Sequence, residues 1–518
     1  MFKHSLPAPR IRRLKSLILV VLILFSTYGV ISPVLAASDA HLKGQFGPLH
    51  DWPIIPLAMM LMPDGRIFAY GTNTEGDQGA KLHYVVWNPT LGTGTDAFEI
   101  LPNTTNTDIF CAGQAMIPST GHALIVGGDA MINTVRNYAN RNVNIFDPTT
   151  DMLTRKTPSM AFKRWYATAV TLPNGEHAVL GGLSSKFFAG TPKIPATDAD
   201  FSSTPEVRNL NGSWRTLSAA TSEIAYGSIG GDSWFYPRAW VNPQGKLFIL
   251  AHSGAMYKLD TSGTGTLTRY TTRTAQSGYT YPSIMFAPGR ILSVRKNRAA
   301  VVVNINGTGE PVASSTGLLA KDRQHGNTTV LADGRVWING GSSTGNNLSG
   351  MSLDSELWNP NTGKWTTAAS AATARLYHSA SILLADGTVL TGGGGASGPL
   401  TQLNGEIYYP PYLFEKNGSG LFEPRPEIIN APTAIGWNES FSIEADESIA
   451  KVTLVRAGAV THSFNNETRF FNLPIPQTGN TVTVQSPATA NVAPPGFYLL
   501  FVWSDIGVPS IARMIQIG

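Results

Sequence analysis

A hairpin pattern that recurs seven times constrains this chain more than any other feature of its sequence. Each copy has a short apolar run, a turn that contains glycine, and a second apolar run that usually ends in a small residue. The last copy, from Ser379 to Gly395, reads SASILLADGTVLTGGGG. The turn glycines of the seven copies are Gly65, Gly121, Gly175, Gly245, Gly289, Gly334 and Gly387. Because an isolated hairpin cannot bury its own apolar face, the copies must pack against one another.

The spacing between the copies predicts the architecture. Successive turn glycines lie 56, 54, 70, 44, 45 and 53 residues apart, close to the kelch period of roughly 50 residues. Several copies are followed by a further strand that ends in a turn signal, such as Trp87-Asn88-Pro89. Four short strands in each of seven units predict an all-β, seven-bladed kelch-type β-propeller over residues 37–420. The segment from Glu406 to Phe414 is expected to be its closing outer strand.

The last part of the chain, residues 421–518, follows a different pattern. It contains short alternating strands such as FSIEA, KVTLVRAG, TVTVQSP and GFYLLFVW. This pattern predicts a C-terminal immunoglobulin-like β-sandwich. The composition agrees with an all-β, turn-rich protein, since only 14% of the 518 residues are charged and 52 are glycine.

The N-terminal segment, residues 1–36, has the features of a signal peptide. Five basic residues precede the apolar run from Leu17 to Phe25, and small residues follow at Val34-Leu35-Ala36. The alternative is an uncleaved membrane anchor, because the apolar stretch is nearly long enough to span a bilayer. We favour cleavage and expect an exported protein, whether extracellular, periplasmic or at the cell surface; only an uncleaved leader would place it on a membrane.

The charge balance excludes one class of partner. The formal net charge of +4 falls to −1 when the five basic residues of the leader are removed. The remaining chain has no basic stripe, so we expect no nucleic-acid partner. The chain also has a single cysteine, Cys111, which in an exported protein is a buried thiol, an intermolecular link or a reactive group.

The distance of a residue from the turn glycine of its hairpin predicts which side chains lie near this cysteine. In a propeller the innermost strands line the central axis, so residues at equal distances before the turn glycines converge. The residues nine or ten positions before a turn glycine include Cys111, Tyr166, Tyr236, His325, Tyr377 and His378. Phenol oxygens and imidazole nitrogens suit Cu(II). A second imidazole is available from His462, near a predicted turn of the C-terminal domain.

These residues resemble the copper radical oxidases, the galactose oxidase and glyoxal oxidase family. The resemblance covers nearly the whole chain after the leader and rests on DIFCAG, KRWYATAV, ARLYHSASILLADG and VTHSFNNETRF. Trp165, directly before Tyr166, resembles the glyoxal oxidase branch. The resemblance does not supply the indole that can stack on this tyrosine in the family, and the later segment offers Phe187 and Phe188 instead.

The resemblance implies a site and a reaction. It implies that Tyr166, Tyr377, His378 and His462 bind one copper ion. It also implies that Cys111 and Tyr166 are joined by a self-processed thioether that carries a radical, and that Tyr377 acts as the base. The implied substrates are O2 and an alcohol or aldehyde, either a small molecule or a carbohydrate, and the implied product of O2 is hydrogen peroxide.

Three further residues and two alternatives remain open. Trp165, His325 and Tyr236 are expected beside the site, as supporting or substrate-contacting residues. The alternative function is a non-catalytic kelch propeller that binds glycans or a surface partner, because the fold alone does not determine the function. A propeller hydrolase would need carboxylate pairs or an arginine cluster that the sequence does not indicate. We expect a monomer.

Overall fold

A computed structural model describes residues 37–184, 201–227 and 233–518 of the chain. The predicted leader and the candidate residues Phe187 and Phe188 lie outside these ranges. The described α-helices are only Ala40–Lys43 and Glu223–Tyr226, and the other described elements are strands and short 3₁₀ turns. Within the described residues, no helix reaches the length and hydropathy that a membrane span requires. The prediction of an all-β fold is therefore confirmed.

In the described ranges, thirty-one strands precede the C-terminal domain. The strands of the N-terminal segment and of the first three hairpin copies are β1 (Gln45–Phe46), β2 (His50–Asp51), β3 (Ala58–Leu61), β4 (Ile67–Tyr70), β5 (His83–Trp87), β6 (Phe98–Pro102), β7 (Gly113–Met116), β8 (Ala123–Val126), β9 (Asp129–Ile132), β10 (Val135–Ala139), β11 (Val143–Asp147), β12 (Met152–Lys156), β13 (Thr168–Thr171), β14 (His177–Leu180), β15 (Glu206–Arg208) and β16 (Trp214–Thr216). Those of the last four copies are β17 (Arg238–Val241), β18 (Leu247–Leu250), β19 (Ala255–Asp260), β20 (Thr266–Arg273), β21 (Ser283–Ala287), β22 (Arg290–Val294), β23 (Ala300–Asn304), β24 (Val312–Ser315), β25 (Asn327–Val330), β26 (Val336–Asn339), β27 (Asp354–Asn359), β28 (Lys364–Ser370), β29 (Ser379–Leu383), β30 (Val389–Gly393) and β31 (Asn404–Tyr409).

Each hairpin copy supplies the first two strands of an antiparallel run. Strands β7, β8, β11 and β12 form one four-stranded sheet, and β13–β16, β17–β20 and β25–β28 form three more. The runs β3–β6 and β21–β24 belong to one ten-stranded sheet, because a short hairpin from the C-terminal domain pairs with both. Strands β29, β30 and β31 form a further antiparallel run, and β1 pairs with β31.

The pairing of β1 corrects one prediction. Glu406 to Phe414 is not the closing outer strand, because β31 lies between β30 and β1 in its sheet. The outer edge of β31 is paired by Gln45 and Phe46, which align with Tyr409 and Tyr408. Pro410 and Pro411 then end the strand, since proline cannot donate a ladder hydrogen bond.

Glycines at the ends of the second strands allow neighbouring runs to approach closely. Gly340 has a φ of 64°, and a Cβ atom there would lie 2.4 Å from the carbonyl oxygen of Arg375. Gly127 has a φ of 72°, and its Cβ would lie 2.1 Å from the carbonyl oxygen of Arg164. Both glycines therefore bring the end of one second strand against the loop that precedes the next first strand.

The C-terminal domain is a two-sheet sandwich with one core. Its strands are β32 (Ile428–Asn430), β33 (Ala434–Ile435), β34 (Ser440–Ile449), β35 (Lys451–Arg456), β36 (Ala459–Thr461), β37 (Phe464–Asn465), β38 (Phe470–Leu473), β39 (Gly479–Gln485), β40 (Gly496–Trp503) and β41 (Arg513–Ile517). Strands β32, β34 and β39 form one sheet, and β33, β41, β40, β35 and β38 form the other. Ile443 and Val484 from the first sheet pack with Leu454 and Leu500 from the second.

The hairpin of β36 and β37 leaves this sandwich and enters the centre of the preceding sheets. Strand β36 pairs antiparallel with β3, and β37 pairs parallel with β21. The hairpin also contacts the first strands β7, β25 and β29. Its turn contains His462, which is therefore carried to the place where the first strands begin.

A buried histidine on the second strand β14 should make the stability of the fold depend on pH. Burial lowers the pKa of His177 to about 4, and its Nε2 lies 3.0 Å from the Met116 carbonyl oxygen. The unfolded chain binds a proton near the ordinary pKa of 6.5, so this contribution to stability is complete above pH 6.5. It is lost as the pH falls from 6.5 to about 4, and the loss is on the order of 3 kcal/mol.

We therefore expect His177→Gln to flatten the decrease of the free energy of unfolding between pH 6.5 and pH 4. Urea denaturation at pH 7.5, 6, 5 and 4 measures this slope. His122→Gln, in a partly exposed turn, is the matched control and should keep the wild-type slope. An unchanged slope in His177→Gln would contradict the expectation.

Candidate metal centre

The predicted site residues lie in equivalent loops, directly before the first strands. Five of them have the left-handed backbone conformation that non-glycine residues seldom adopt: Cys111 (φ 55°), Tyr166 (φ 69°), Tyr236 (φ 41°), His325 (φ 61°) and His378 (φ 66°). His462, in the turn of the inserted hairpin, also has a positive φ of 48°. Such strained conformations persist only where the surrounding packing enforces them, and they cluster at functional sites.

Three of these loops are held by the same buried ion pair, which we call the arginine clamp. The sequence pattern is alanine, two residues, arginine, one residue, and then tyrosine or histidine, and it occurs at Ala161 to Tyr166, Ala320 to His325 and Ala372 to Tyr377. The clamp residues are Arg164 with Glu206, Arg323 with Glu356, and Arg375 with Glu406. All six side chains are buried, with exposed fractions of 0–2%.

Each clamp joins three segments of one antiparallel run. In the first, the Arg164 guanidinium donates to Glu206 at 3.0 Å and to the Gly181 carbonyl at 2.7 Å. The other carboxylate oxygen of Glu206 accepts from the Ala161 amide at 2.6 Å. The glutamate comes from the third strand of the run, so the loop that carries the site residue is fixed to the strands behind it. This ion pair was not predicted from the sequence, although the repeated spacing is visible there.

Two phenols and two imidazoles converge between these loops. The hydroxyl oxygens of Tyr166 and Tyr377 lie 2.9 Å apart. The Nδ1 of His378 donates to the Gly395 carbonyl at 2.6 Å, and the Nδ1 of His462 lies 2.6 Å from the Thr461 hydroxyl. With Nδ1 engaged by the protein, Nε2 of each ring is left to bind a metal ion.

The single cysteine lies among these groups. The Sγ of Cys111 is 3.8 Å from Nε2 of His378 and 3.5 Å from Nε2 of His462. The Tyr166 amide donates to the Cys111 carbonyl at 3.0 Å. Burial raises the pKa of the Cys111 thiol well above its usual value, and the Tyr166 phenol opposes that shift as a hydrogen-bond partner of the thiol. The thiol is therefore neutral and buried, and its residue is hydrogen-bonded to Tyr166 through the backbone.

Aromatic side chains enclose Tyr166. Phe235 stacks on its ring with the centroids 4.5 Å apart and the planes inclined by 24°, and Trp165 lies 4.3 Å away at 42°. Trp234 adds an edge contact at 5.8 Å. Trp165 was expected beside the site, whereas Phe235 was missed because nothing in its local sequence indicates the fold-back onto Tyr166.

Tyr236 supports the site from behind. Its hydroxyl donates to the Ala112 carbonyl at 3.3 Å, and its ring lies 4.7 Å from that of His462. It is buried and does not line the cavity described next, so the structure assigns it a packing contact with His462 rather than a contact with substrate.

A cavity of about 350 Å³ opens over the two phenols. The residues that line it include Tyr166, Tyr377, His378, His325 and Trp165. Among the described residues that line it, none is aspartate or glutamate. The carboxylate pair that a hydrolase requires is therefore not found in the described wall of this cavity.

Burial determines the protonation of the candidate ligands. It lowers the pKa of His378 to about 3 and that of His462 well below its usual value. It raises the pKa of Tyr166 and Tyr377 well above the usual value of a phenol. The imidazoles are therefore neutral and ready to bind a metal ion, whereas each phenol must lose a proton to a base or to solvent before it binds as phenolate. Two oxygen and two nitrogen donors fit Cu(II).

Comparisons with known proteins agree with this chemistry. A family model described as "Galactose oxidase-like, Early set domain" matches residues 425–517. A galactose oxidase from Gibberella zeae is 27% identical over 505 residues, which covers 92% of this chain and 70% of that protein. An aldehyde oxidase, GLOX, from Vitis pseudoreticulata is 25% identical over 475 residues, which covers 79% of this chain and 82% of that protein.

The fold also has a solved counterpart. A fungal alcohol oxidase in complex with copper aligns with a TM-score of 0.78 and 24% identity, covering 92% of this chain and 99% of that one. At this identity the likeness shows the fold alone. The chain is similar in sequence to the copper radical oxidases, which include galactose oxidase and glyoxal oxidase, and these relatives indicate a copper-dependent oxidoreductase.

Proposed function

We propose that this protein oxidises an aldehyde or a primary alcohol with O2 and releases hydrogen peroxide. One copper ion would be held by Tyr166, Tyr377, His378 and His462. The observation that carries the proposal is the convergence of these four donors with the only cysteine of the chain beside Tyr166. A non-catalytic propeller would leave that convergence without a purpose.

The proposed architecture is a seven-bladed propeller over residues 37–420 followed by a sandwich over residues 421–518. The antiparallel runs support this architecture, since first strands of successive runs contact each other, as do β7 with β13 and β25 with β29. Strand β29 also contacts β3, and β1 pairs with β31, so the two ends of the array meet. In this architecture the inserted hairpin fills the axis and supplies His462.

The cofactor is proposed to form from the chain itself. A bond between Cys111 Sγ and a ring carbon of Tyr166 replaces one S–H and one C–H bond, so two protons and two electrons must leave. Dioxygen, which the proposed reaction already uses, can accept them as hydrogen peroxide. The stacked ring of Phe235 and the indole of Trp165 would then shield the oxidised Tyr166–Cys111 unit from water.

The substrate oxidation has defined roles for the residues. Copper, held by these residues, would supply Lewis acidity at the substrate hydroxyl and one-electron redox capacity. Tyr377, as a phenolate, would accept the hydroxyl proton. Tyr166, oxidised and cross-linked to Cys111, would be the acceptor of the hydrogen atom from the substrate carbon. An alcohol thereby becomes an aldehyde, and O2 takes up the two electrons and two protons as hydrogen peroxide.

The test of this function is peroxide release by the copper-loaded full chain. Glyoxal, methylglyoxal, benzyl alcohol and galactose sample aldehydes, an alcohol and a sugar. We expect oxygen consumption and peroxide formation in equal amounts with at least one of them, and only after copper loading. Loading without turnover on any substrate, together with a free Cys111 thiol, would favour the binding-module alternative.

Tyr377→Phe is expected to lower kcat/KM by roughly 10²- to 10⁴-fold, because the phenyl ring cannot accept the substrate proton. Peroxide release measures the loss. Tyr270→Phe, on the outer strand β20, is the matched control and should remain at the wild-type rate. A Tyr377→Phe variant within threefold of wild type would remove Tyr377 from the proposed role.

A further inference from the structure

One histidine of the cavity has a position like that of the candidate ligands but a different set of partners. His325 occupies the second of the three arginine clamps, at the position that Tyr166 and Tyr377 occupy in the other two. Arg323 donates to Glu356 at 2.9 Å and to the Gly340 carbonyl at 3.0 Å, and Glu356 accepts from the Ala320 amide at 2.7 Å. The same buried device therefore fixes all three loops at the cavity.

The His325 ring lies beside Tyr377, the residue proposed to accept the substrate proton. Its centroid lies 5.1 Å from that of Tyr377, with the planes inclined by 62°, and the ring lines the cavity. It does not belong to the cluster in which Cys111, His378 and His462 bring their ligand atoms within 4.8 Å of one another. His325 is therefore next to Tyr377 but outside the candidate metal cluster.

The ring nitrogens of His325 are available to a ligand. His378 and His462 each use Nδ1 in a hydrogen bond to the protein. Within the described part of the chain, neither ring nitrogen of His325 has a hydrogen-bond partner, and its amide donates to the Thr280 carbonyl at 2.7 Å. A neutral imidazole held in this way offers one donor and one acceptor to whatever occupies the cavity.

We propose that His325 binds the second hydroxyl of an aldehyde hydrate and so selects hydrates over simple alcohols. The inference rests on the proposed function. The hydrate of an aldehyde has two hydroxyls on the reacting carbon. One gives its proton to Tyr377, and the other, on the same carbon, faces the adjacent His325. Oxidation converts the hydrate to a carboxylic acid while O2 becomes hydrogen peroxide, so the electrons balance.

The proposed hydrogen bond to His325 determines how strongly the site should prefer the hydrate over the alcohol. A site built to hydrogen-bond a substrate hydroxyl discriminates strongly against an analogue that lacks it, because the polar group of the site is then left unpaired. A primary alcohol has hydrogen where the hydrate has its second hydroxyl. It would therefore leave His325 without a partner.

The test uses two ligands that differ by that hydroxyl and needs no turnover. The hydrate of 1,1,1-trifluoroacetone and the alcohol 1,1,1-trifluoropropan-2-ol are titrated calorimetrically into the copper-loaded full chain. We expect the wild type to bind the hydrate about 10- to 100-fold more tightly than the alcohol, the cost of leaving one buried polar group unpaired. His325→Ala should abolish this preference, His325→Gln should restore part of it, and the control His122→Ala should keep it.

Other outcomes overturn the inference. An equal loss of affinity for both ligands in His325→Ala, with a changed copper EPR spectrum, would mean that His325 acts through the metal site. A wild type without preference, or a preference that His325→Ala retains, would also refute the role. If the proposed function itself is wrong, the result is different: the wild type would then release no peroxide and contain no thioether.

Discussion

Replacement of Cys111 by alanine is expected to remove catalysis and leave copper binding in place. Without the sulfur, no thioether can form and Tyr166 cannot become the cross-linked unit. Because the thioether acts as one unit with its tyrosine, we expect turnover to fall at least about a thousandfold. The four proposed donors remain, so the affinity for copper should stay within roughly tenfold of the wild type, a change of about 1.4 kcal/mol.

Peroxide release, copper titration and the visible spectrum together distinguish the proposed site from one in which Cys111 binds copper directly. If Cys111 is instead a direct ligand with His378 and His462, the set of two histidines and one cysteine is that of a blue-copper site. The short distances from Sγ to the two Nε2 atoms, 3.8 Å and 3.5 Å, are compatible with either arrangement. Cys111→Ala would then lose copper together with activity, and the wild type would show the intense blue absorption of a copper–thiolate bond.

The second large effect concerns the arginine clamp beside the candidate ligands. Arg375 and Glu406 are completely buried, and their side chains are 3.1 Å apart. Arg375→Met leaves the Glu406 carboxylate in the interior without its cation. Removing one partner of such a pair costs roughly 3–5 kcal/mol of the free energy of unfolding. The loop with Tyr377 and His378 should loosen at the same time, so copper affinity should fall as well.

Denaturant unfolding of the full chain measures this loss. The double variant Arg375→Met with Glu406→Leu removes both charges and should recover most of the stability. Lys43→Met, which breaks the exposed pair with Asp39, is the matched control and should unfold at nearly the wild-type denaturant concentration. A single Arg375→Met variant as stable as the wild type would show that the clamp does not hold the loop.

The all-β class and the cluster of candidate residues were predictable from local rules. Turn glycines such as Gly121 and Gly387 were informative because the turn requires a positive φ, here 72° and 80°. Counting back from them found Cys111 and Tyr166, since every first strand begins six to eight residues before its turn glycine. His462 was a candidate because of its predicted turn, and its role as a ligand came from the family resemblance, because no periodicity links its hairpin to the strands that it enters.

Other features depend on contacts between residues that are far apart in the sequence, and a local sequence pattern does not reveal such contacts. The outer edge of β31 pairs with the two-residue strands Gln45–Phe46 and His50–Asp51, which are too short to show an alternating pattern. Arg164 and Glu206 are 42 residues apart, so their pairing follows from the fold and not from their neighbourhood. Phe235 reaches Tyr166 because its loop precedes the next first strand, β17.

The measurement that tests the central claim most directly is intact mass with peptide mapping of the full chain, expressed with and without copper. We expect the copper-loaded protein to be lighter by about two hydrogens than its sequence mass, whether or not its leader has been removed. The peptides of Cys111 and Tyr166 should be joined by a link that reductant does not break. Two separate peptides, with Cys111 still free in folded and copper-loaded protein, would contradict the account.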